Sequence, residues 1–217
     1  MFIGHMAVAF AAKRVTPRVS LAMLVLAAQW ADTIWPVLLG LGIEEVRIDP
    51  GNTAFTPLDF VSYPYSHSLL TLVFWGAIVG GAYRGVAGGR GTVWALSALV
   101  VSHWVLDYVT HRPDMPLYPG GPRVGLGLWN SVPATLVVEV AMYAAGLWIY
   151  ARCTRARDGI GRWAFLSLAV FLPLVYVANL VGGPPPSVMA IAVGGFAGAA
   201  VLVAWAWWAD QHRECVV

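Results

Sequence analysis

Charge is what this chain has least of. Only 11% of its 217 residues are Asp, Glu, Lys or Arg, against about 25% in an average soluble domain. A globule of this size could not cover its surface with so little charge, which excludes a water-soluble enzyme. It also excludes intrinsic disorder, which needs the opposite composition. The net charge of +2, with no basic patch carrying interleaved aromatics, excludes a nucleic-acid partner. The two cysteines, Cys153 and Cys215, show no CxxC or other metal spacing, so neither a disulfide framework nor a thiolate metal site is expected. The first basic residue is Lys13, so the opening apolar stretch lacks the charged start of a signal peptide.

Apolar sequence is abundant instead: 59% of residues are hydrophobic and the mean hydropathy is +0.70. A helix needs about 20 mostly apolar residues to cross a bilayer core. Segments 19–42, 65–83, 91–110, 133–151, 163–182 and 187–209 meet that length. With residues 1–12, apolar but too short to span, they predict an all-α polytopic bundle of about six transmembrane helices plus an N-terminal half-helix. The whole chain, 1–217, reads as a single integral membrane domain. Assigning Lys and Arg to alternate sides puts ten on one and three (Arg47, Arg112, Arg123) on the other. That asymmetry predicts a multi-pass protein of a bacterial-type inner membrane with a cytoplasmic C-terminus. Trp94, Trp148, Trp163, Trp205, Trp207 and Trp208 lie near the inner boundary, where an aromatic belt is expected. The outer loops, 43–64 and 111–132, are long enough to cover something or to be ordinary connections.

The informative residues are those an apolar helix should not tolerate: Asp32, His67, His103, Asp107 and Glu139. An ionisable group at membrane depth reads by default as functional and inward-facing. Counted from the basic residue at each inner helix end, all five lie roughly 20 to 25 Å up, at about 1.5 Å per residue. His103 and Asp107, four apart, share one helix face, and His111 continues it. Imidazoles with carboxylates and no thiolate suit Zn²⁺, with Mn²⁺ or Fe²⁺ as other candidates. The spacing favours ligation for His103 with Asp107. Asp32 and His67, taken singly, serve equally well in a polar network that holds the bundle together. For Glu139, support of a ligand or packing is the stronger reading. His5 lies only about 12 Å above the inner boundary if residues 1–12 are helical, which favours an interfacial anchor. His212 sits in the charged tail and reads as solvated.

Gly4-His5, Asp32 followed by Trp35-Pro36, Ser66-His67-Ser68-Leu69-Leu70, and Ser102-His103 with Asp107 and Thr110 occur in an order that resembles the membrane-bound metal-dependent hydrolases. These are the YdjM-like, LexA-regulated inner-membrane family. The resemblance covers roughly residues 1–120, leaving 133–209 as scaffold. It implies that His5, Asp32, His67, His103 and Asp107 are metal ligands, and so lifts His5 above the anchor reading. Similarity in ligand order to zinc-dependent phospholipases C implies hydrolysis of an ester or phosphoester in a lipid-like substrate. Ile34, Trp35 and Ser62 stand where the family has an Asp and two His, which implies one metal ion rather than two, or lost chemistry. In the enzyme reading a metal-activated water attacks, with Asp107 or Glu139 as base. His111, Arg112 and Asp114 lie at the outer mouth as substrate-binding candidates, although a solvated Arg112 is the simpler reading of that residue alone. The alternative is a transporter or proton relay, which predicts paired halves with broken helices. A third is a scaffold: Gly194 and Gly198 have the small-xxx-small spacing of a homo-oligomer face or, more commonly, of internal packing.

Overall fold

The computed structural model describes residues 1–86 and 89–216. It is an all-α bundle. Helices α1 (Ile3–Ala12), α2 (Leu21–Ala28), α3 (Trp30–Gly40), α4 (Pro64–His67), α5 (Leu69–Val86), α6 (Arg90–Thr110), α7 (Val132–Cys153), α8 (Gly159–Val181) and α9 (Val188–Gln211) carry it. Among the described residues, three two-stranded antiparallel sheets decorate its ends: β1 (Glu45–Ile48) with β2 (Leu58–Ser62), β3 (Met115–Pro116) with β4 (Arg123–Val124), and β5 (Thr154–Ala156) with β6 (Arg213–Cys215). Local chemistry fixes several helix starts. Ser20, Ser131, Asp158 and Ser187 each accept a backbone N–H three residues on, satisfying a donor that the first turn leaves unpaired.

Among the described residues, four helices (α6 to α9) are long and apolar enough to cross a membrane, or five if the bent pair α2–α3 counts as one span. This corrects the count of six. The run 19–42 is divided at Gln29, where the axis turns by 58°. The run 65–83 is divided at Ser68, whose extended backbone (φ −78°, ψ 147°) separates α4 from α5. Both breaks fall beside an ionisable residue, and hydropathy averaged over a window does not register them.

The half-helix α1 is inserted rather than interfacial. Ile3, His5, Met6 and Phe10 are buried, and the helix packs against α2, α6 and α7. Its approach to α7 is close: a Cβ at Gly146 would overlap the backbone of Ala7. Helix α5 packs on α6 in the same way, through Gly76 and Gly80, with Ser97 Oγ donating to the Gly76 carbonyl at 2.8 Å.

One end of the bundle gathers basic residues. The β5–β6 strand pair ties the end of α7 to the end of α9, Lys13 Nζ reaches Asp210 at 2.8 Å, and Tyr150 donates to the same carboxylate at 3.0 Å. Trp94, Trp148, Trp163, Trp207 and Trp208 are exposed, while Trp205 turns in to donate to the Ala164 carbonyl. Cys153 and Cys215 are both free. At the opposite end the two long loops do form a cover, an aromatic layer of Phe55, Phe60, Tyr63, His111 and Trp129.

Gly194 and Gly198 have no neighbour within 4 Å of where a Cβ would sit, so they do not serve internal packing among the described residues; the adjacent Gly195 meets Pro36. Gly80→Ala should therefore destabilise the protein by about 1–3 kcal/mol through overpacking against Val93 and Ser97. Gly194→Ala should change stability by less than about 0.5 kcal/mol. Thermal unfolding in detergent checks both.

Candidate metal centre

The site grows from helix α6. His103 and Asp107, one turn apart, both face the interior and are buried. The break at Gln29 ends α2 at Ala28, whose carbonyl accepts from His103 Nδ1 at 2.8 Å. A carbonyl has no hydrogen to give, so Nδ1 carries a proton, and in the neutral, metal-binding form of the ring Nε2 carries a bare lone pair. His67, the last residue of α4, is fixed in the same way. Its Nδ1 is 2.7 Å from Ser66 Oγ, which donates to Glu44 Oε2 at 2.6 Å. The hydroxyl's one hydrogen is spent on the carboxylate, so Nδ1 is the donor and, in the neutral ring, His67 Nε2 is bare.

Both bare nitrogens point at carboxylate oxygens. His103 Nε2 lies 3.1 Å from Asp107 Oδ2 and 3.7 Å from Asp32 Oδ1. His67 Nε2 lies 3.5 Å from Asp32 Oδ1 and 3.8 Å from Asp107 Oδ2. None of these is an aligned hydrogen bond; His103 Nε2 is buried with no partner at all. Lone pairs facing lone pairs in an apolar interior repel unless a ring proton or a metal cation lies between them. Ligand atoms bound at about 2.0–2.1 Å in a tetrahedral zinc site stand roughly 3.3–3.4 Å apart, and the observed separations bracket that spacing. Two overlapping trios, His5–His103–Asp107 and Asp32–His67–His103, each keep their ligand atoms within 4.8 Å of one another. These residues fit a divalent metal ion.

The inserted half-helix brings His5 into the site, against the anchor reading that depth favoured. Its ring stacks on His103 with centroids 3.7 Å apart and planes 4° from parallel. His5 Nε2 lies 3.0 Å from Asp107 Oδ1, and its buried Nδ1 has no partner. The Met1 amine also donates to Asp107 Oδ1. Asp32 is the open member of the group: its side chain is 38% exposed, whereas those of His103, His67 and Asp107 are at most 4% exposed.

Glu139 takes the supporting role. Its Oε2 accepts from the backbone N–H of Phe2 at 2.9 Å and of Gly4 at 3.2 Å, so it caps the start of α1 and seats His5. The outer-mouth residues are brought together but committed to one another. Asp114 Oδ1 accepts from Tyr63 at 2.8 Å and lies 2.9 Å from His111 Nδ1. The Arg112 guanidinium pairs with Asp59 and lies 3.4 Å from Asp114, leaving less of it free for a substrate. Burial holds His111 below the usual imidazole range, and burial together with the Asp114 charge pushes the Tyr63 phenol well above its usual value. His212 bonds Asp158 at the far, basic end.

Sequence reasoning missed Glu44, Ser66 and the Ala28 carbonyl. Ser66 stands in the motif quoted around His67, but nothing in that motif assigns it a role. Glu44 reaches across 22 positions, and no spacing rule points to it. No family model, curated protein or solved structure matches this chain, so the resemblance rests on the motifs quoted for it.

His103→Ala and Asp107→Ala should each reduce bound metal to background in protein purified in detergent, while His212→Ala retains the wild-type content. Elemental mass spectrometry measures this, and an equal loss in His212→Ala would break the assignment.

Proposed function

We propose that the protein is a membrane-embedded, metal-dependent hydrolase that cleaves an ester or phosphoester of a lipid-like substrate. The observation that carries this reading is the convergence of imidazole nitrogens and carboxylates in a buried cluster with one half-buried carboxylate, Asp32. Zinc suits the nitrogen and oxygen donors, with manganese or iron as substitutes. The charge asymmetry supports an inner-membrane location with the basic end and C-terminus cytoplasmic and the metal centre toward the outer side.

His67, His103, Asp32 and Asp107 would hold the ion, with His5 beside Asp107. A divalent ion there supplies Lewis acidity, polarising a carbonyl or phosphoryl oxygen and bringing the pKa of water toward 7. The chain's own residues do the rest. Ala28 and Ser66 hold the two rings with Nε2 inward. Met1 and His5 occupy Asp107 Oδ1, and Phe2 and Gly4 occupy Glu139 Oε2. The proton-accepting role expected of Asp107 or Glu139 therefore falls better to Asp32, the least buried of the three, through the oxygen turned away from the imidazoles, Oδ2. The aromatic layer of Phe60, Tyr63 and Trp129 limits water above the site. The surrounding bilayer favours an amphiphile over a free polar metabolite.

One observation favours the second reading, metal transport. Transporters bind ions where helices are broken and backbone carbonyls are freed, and the α2–α3 break lies beside Asp32.

The test reconstitutes the protein into lipid vesicles with Zn²⁺, Mn²⁺ or Fe²⁺ and offers a panel of lipid esters and phosphoesters. Metal-dependent release of product, lost in His103→Ala and Asp107→Ala, is the expected result. A metal-loaded protein that is inert on the panel but moves the ion across the vesicle wall would replace the hydrolase reading with the transporter.

A further inference from the structure

Glu44 belongs to the loop after α3, far in sequence from any ligand, yet it is only 4% exposed. A buried carboxylate needs donors, and Glu44 has three. Its Oε1 accepts from the backbone N–H of Tyr65 at 2.8 Å and of Ser66 at 2.9 Å, and Oε2 accepts from Ser66 Oγ at 2.6 Å. Ser66 is fully buried, and its oxygen lies 2.7 Å from His67 Nδ1. The chain of bonds runs in one direction only. A carboxylate accepts, so the serine hydrogen goes to Glu44. The serine lone pair is then left for a hydrogen on Nδ1, so in the neutral ring the bare nitrogen of His67 is Nε2.

We propose that Glu44 and Ser66 are positioning residues that select the metal-binding tautomer of His67. The proposal rests on His67 being a metal ligand and is independent of hydrolysis. A partner on the far nitrogen fixes the tautomer, holds the ring plane and raises the basicity of the facing nitrogen, and loss of such a partner typically costs about 10–100-fold in metal affinity. Here the partner is a carboxylate acting through a hydroxyl. The arrangement also links the outer loop to the site: the same Glu44 side chain that caps α4 sets the proton on the residue that ends it.

A purely structural role for Glu44, as the cap of α4, makes a different prediction. Glu44→Gln retains that cap, because the amide oxygen still accepts from Tyr65 and Ser66. The amide nitrogen, however, now donates to Ser66 Oγ. The serine hydrogen then turns to His67 Nδ1, and the ring proton moves to Nε2, where it blocks the lone pair.

The experiment is ¹⁵N NMR of the histidine rings in metal-free, detergent-solubilised full-length protein at one neutral pH, with His67 assigned from a His67→Gln spectrum. Zn²⁺ affinity is measured alongside by competition with a chromophoric chelator. Wild type should show His67 protonated on Nδ1, and Glu44→Gln should show it protonated on Nε2 with Zn²⁺ bound about 10–100-fold more weakly. Ser66→Ala should also weaken Zn²⁺, and Ser66→Thr, which keeps the hydroxyl, should restore it. Glu44→Gln and Ser66→Ala proteins that bind Zn²⁺ as tightly as a zinc-binding wild type overturn the proposal. If wild type binds no Zn²⁺, the metal reading fails separately, and an unchanged His67 tautomer in Glu44→Gln overturns this proposal by itself. If Glu44→Gln does not fold, the Ser66→Ala and Ser66→Thr pair decides.

Discussion

The hydrogen bond from His103 Nδ1 to the Ala28 carbonyl is the contact on which the rest of the bundle turns. A helix that breaks inside an apolar protein releases carbonyls from its ladder, and each needs a donor. The ring of His103 supplies one at Ala28, so α2 can end there and α3 can leave at a new angle with Asp32 in its first turn. The same bond settles the other side of the imidazole, because the proton held at Nδ1 leaves Nε2 bare toward Asp107 and Asp32. Backbone irregularity and side-chain chemistry are two ends of one interaction. A continuous helix through Gln29 would offer no such carbonyl and would carry Asp32 elsewhere.

The inserted half-helix extends this economy. Its first-turn N–H groups need acceptors, and Glu139 provides one oxygen to two of them. Burying a carboxylate needs donors, and the helix start provides them. Neither partner is stable there alone, since an unpaired buried polar group costs about 1–3 kcal/mol and a charged one more. Gly146 lets the backbones of α7 and α1 close on each other. The result is a helix too short to cross a membrane but sunk deep enough to stack His5 on His103.

This division explains which features could be read in the sequence. The His103–Asp107 pair was legible because both residues lie on one regular helix, where a four-residue spacing fixes a shared face. Asp32 and His67 were legible as ionisable residues in apolar runs, although the depth count for each crosses a break, at Gln29 and at Ser68. The number of spans was not legible: window hydropathy counts apolar residues and is blind to Gln29 and Ser68, where a local polar interaction outweighs helix continuity. Depth misplaced His5 because the position of α1 is set by Glu139 and Gly146 on another helix, not by its own composition. Glu44 was least legible of all, an ordinary acidic loop residue until folding places it against Ser66.

The carboxylates themselves argue for a cation. Glu44 has three donors, Glu139 has two backbone N–H groups, and Asp210 has Lys13, Tyr150 and the Leu21 N–H. Asp114 has Tyr63 and the ring of His111, and Asp107 has the Met1 amine and His5 on one oxygen. Asp32 is the exception among these inward-facing carboxylates: no hydrogen bond reaches it from the described residues, and its nearest polar neighbours are the bare nitrogens of His67 and His103. A polar network built only to hold helices together would be expected to give this carboxylate at least one donor, as it gives each of the others. The fold instead spends the hydrogen of each ring on the opposite side, at Ala28 and Ser66, and presents to Asp32 the two atoms that cannot help it. An acceptor set arranged around a carboxylate in this way is one that could hold a metal ion.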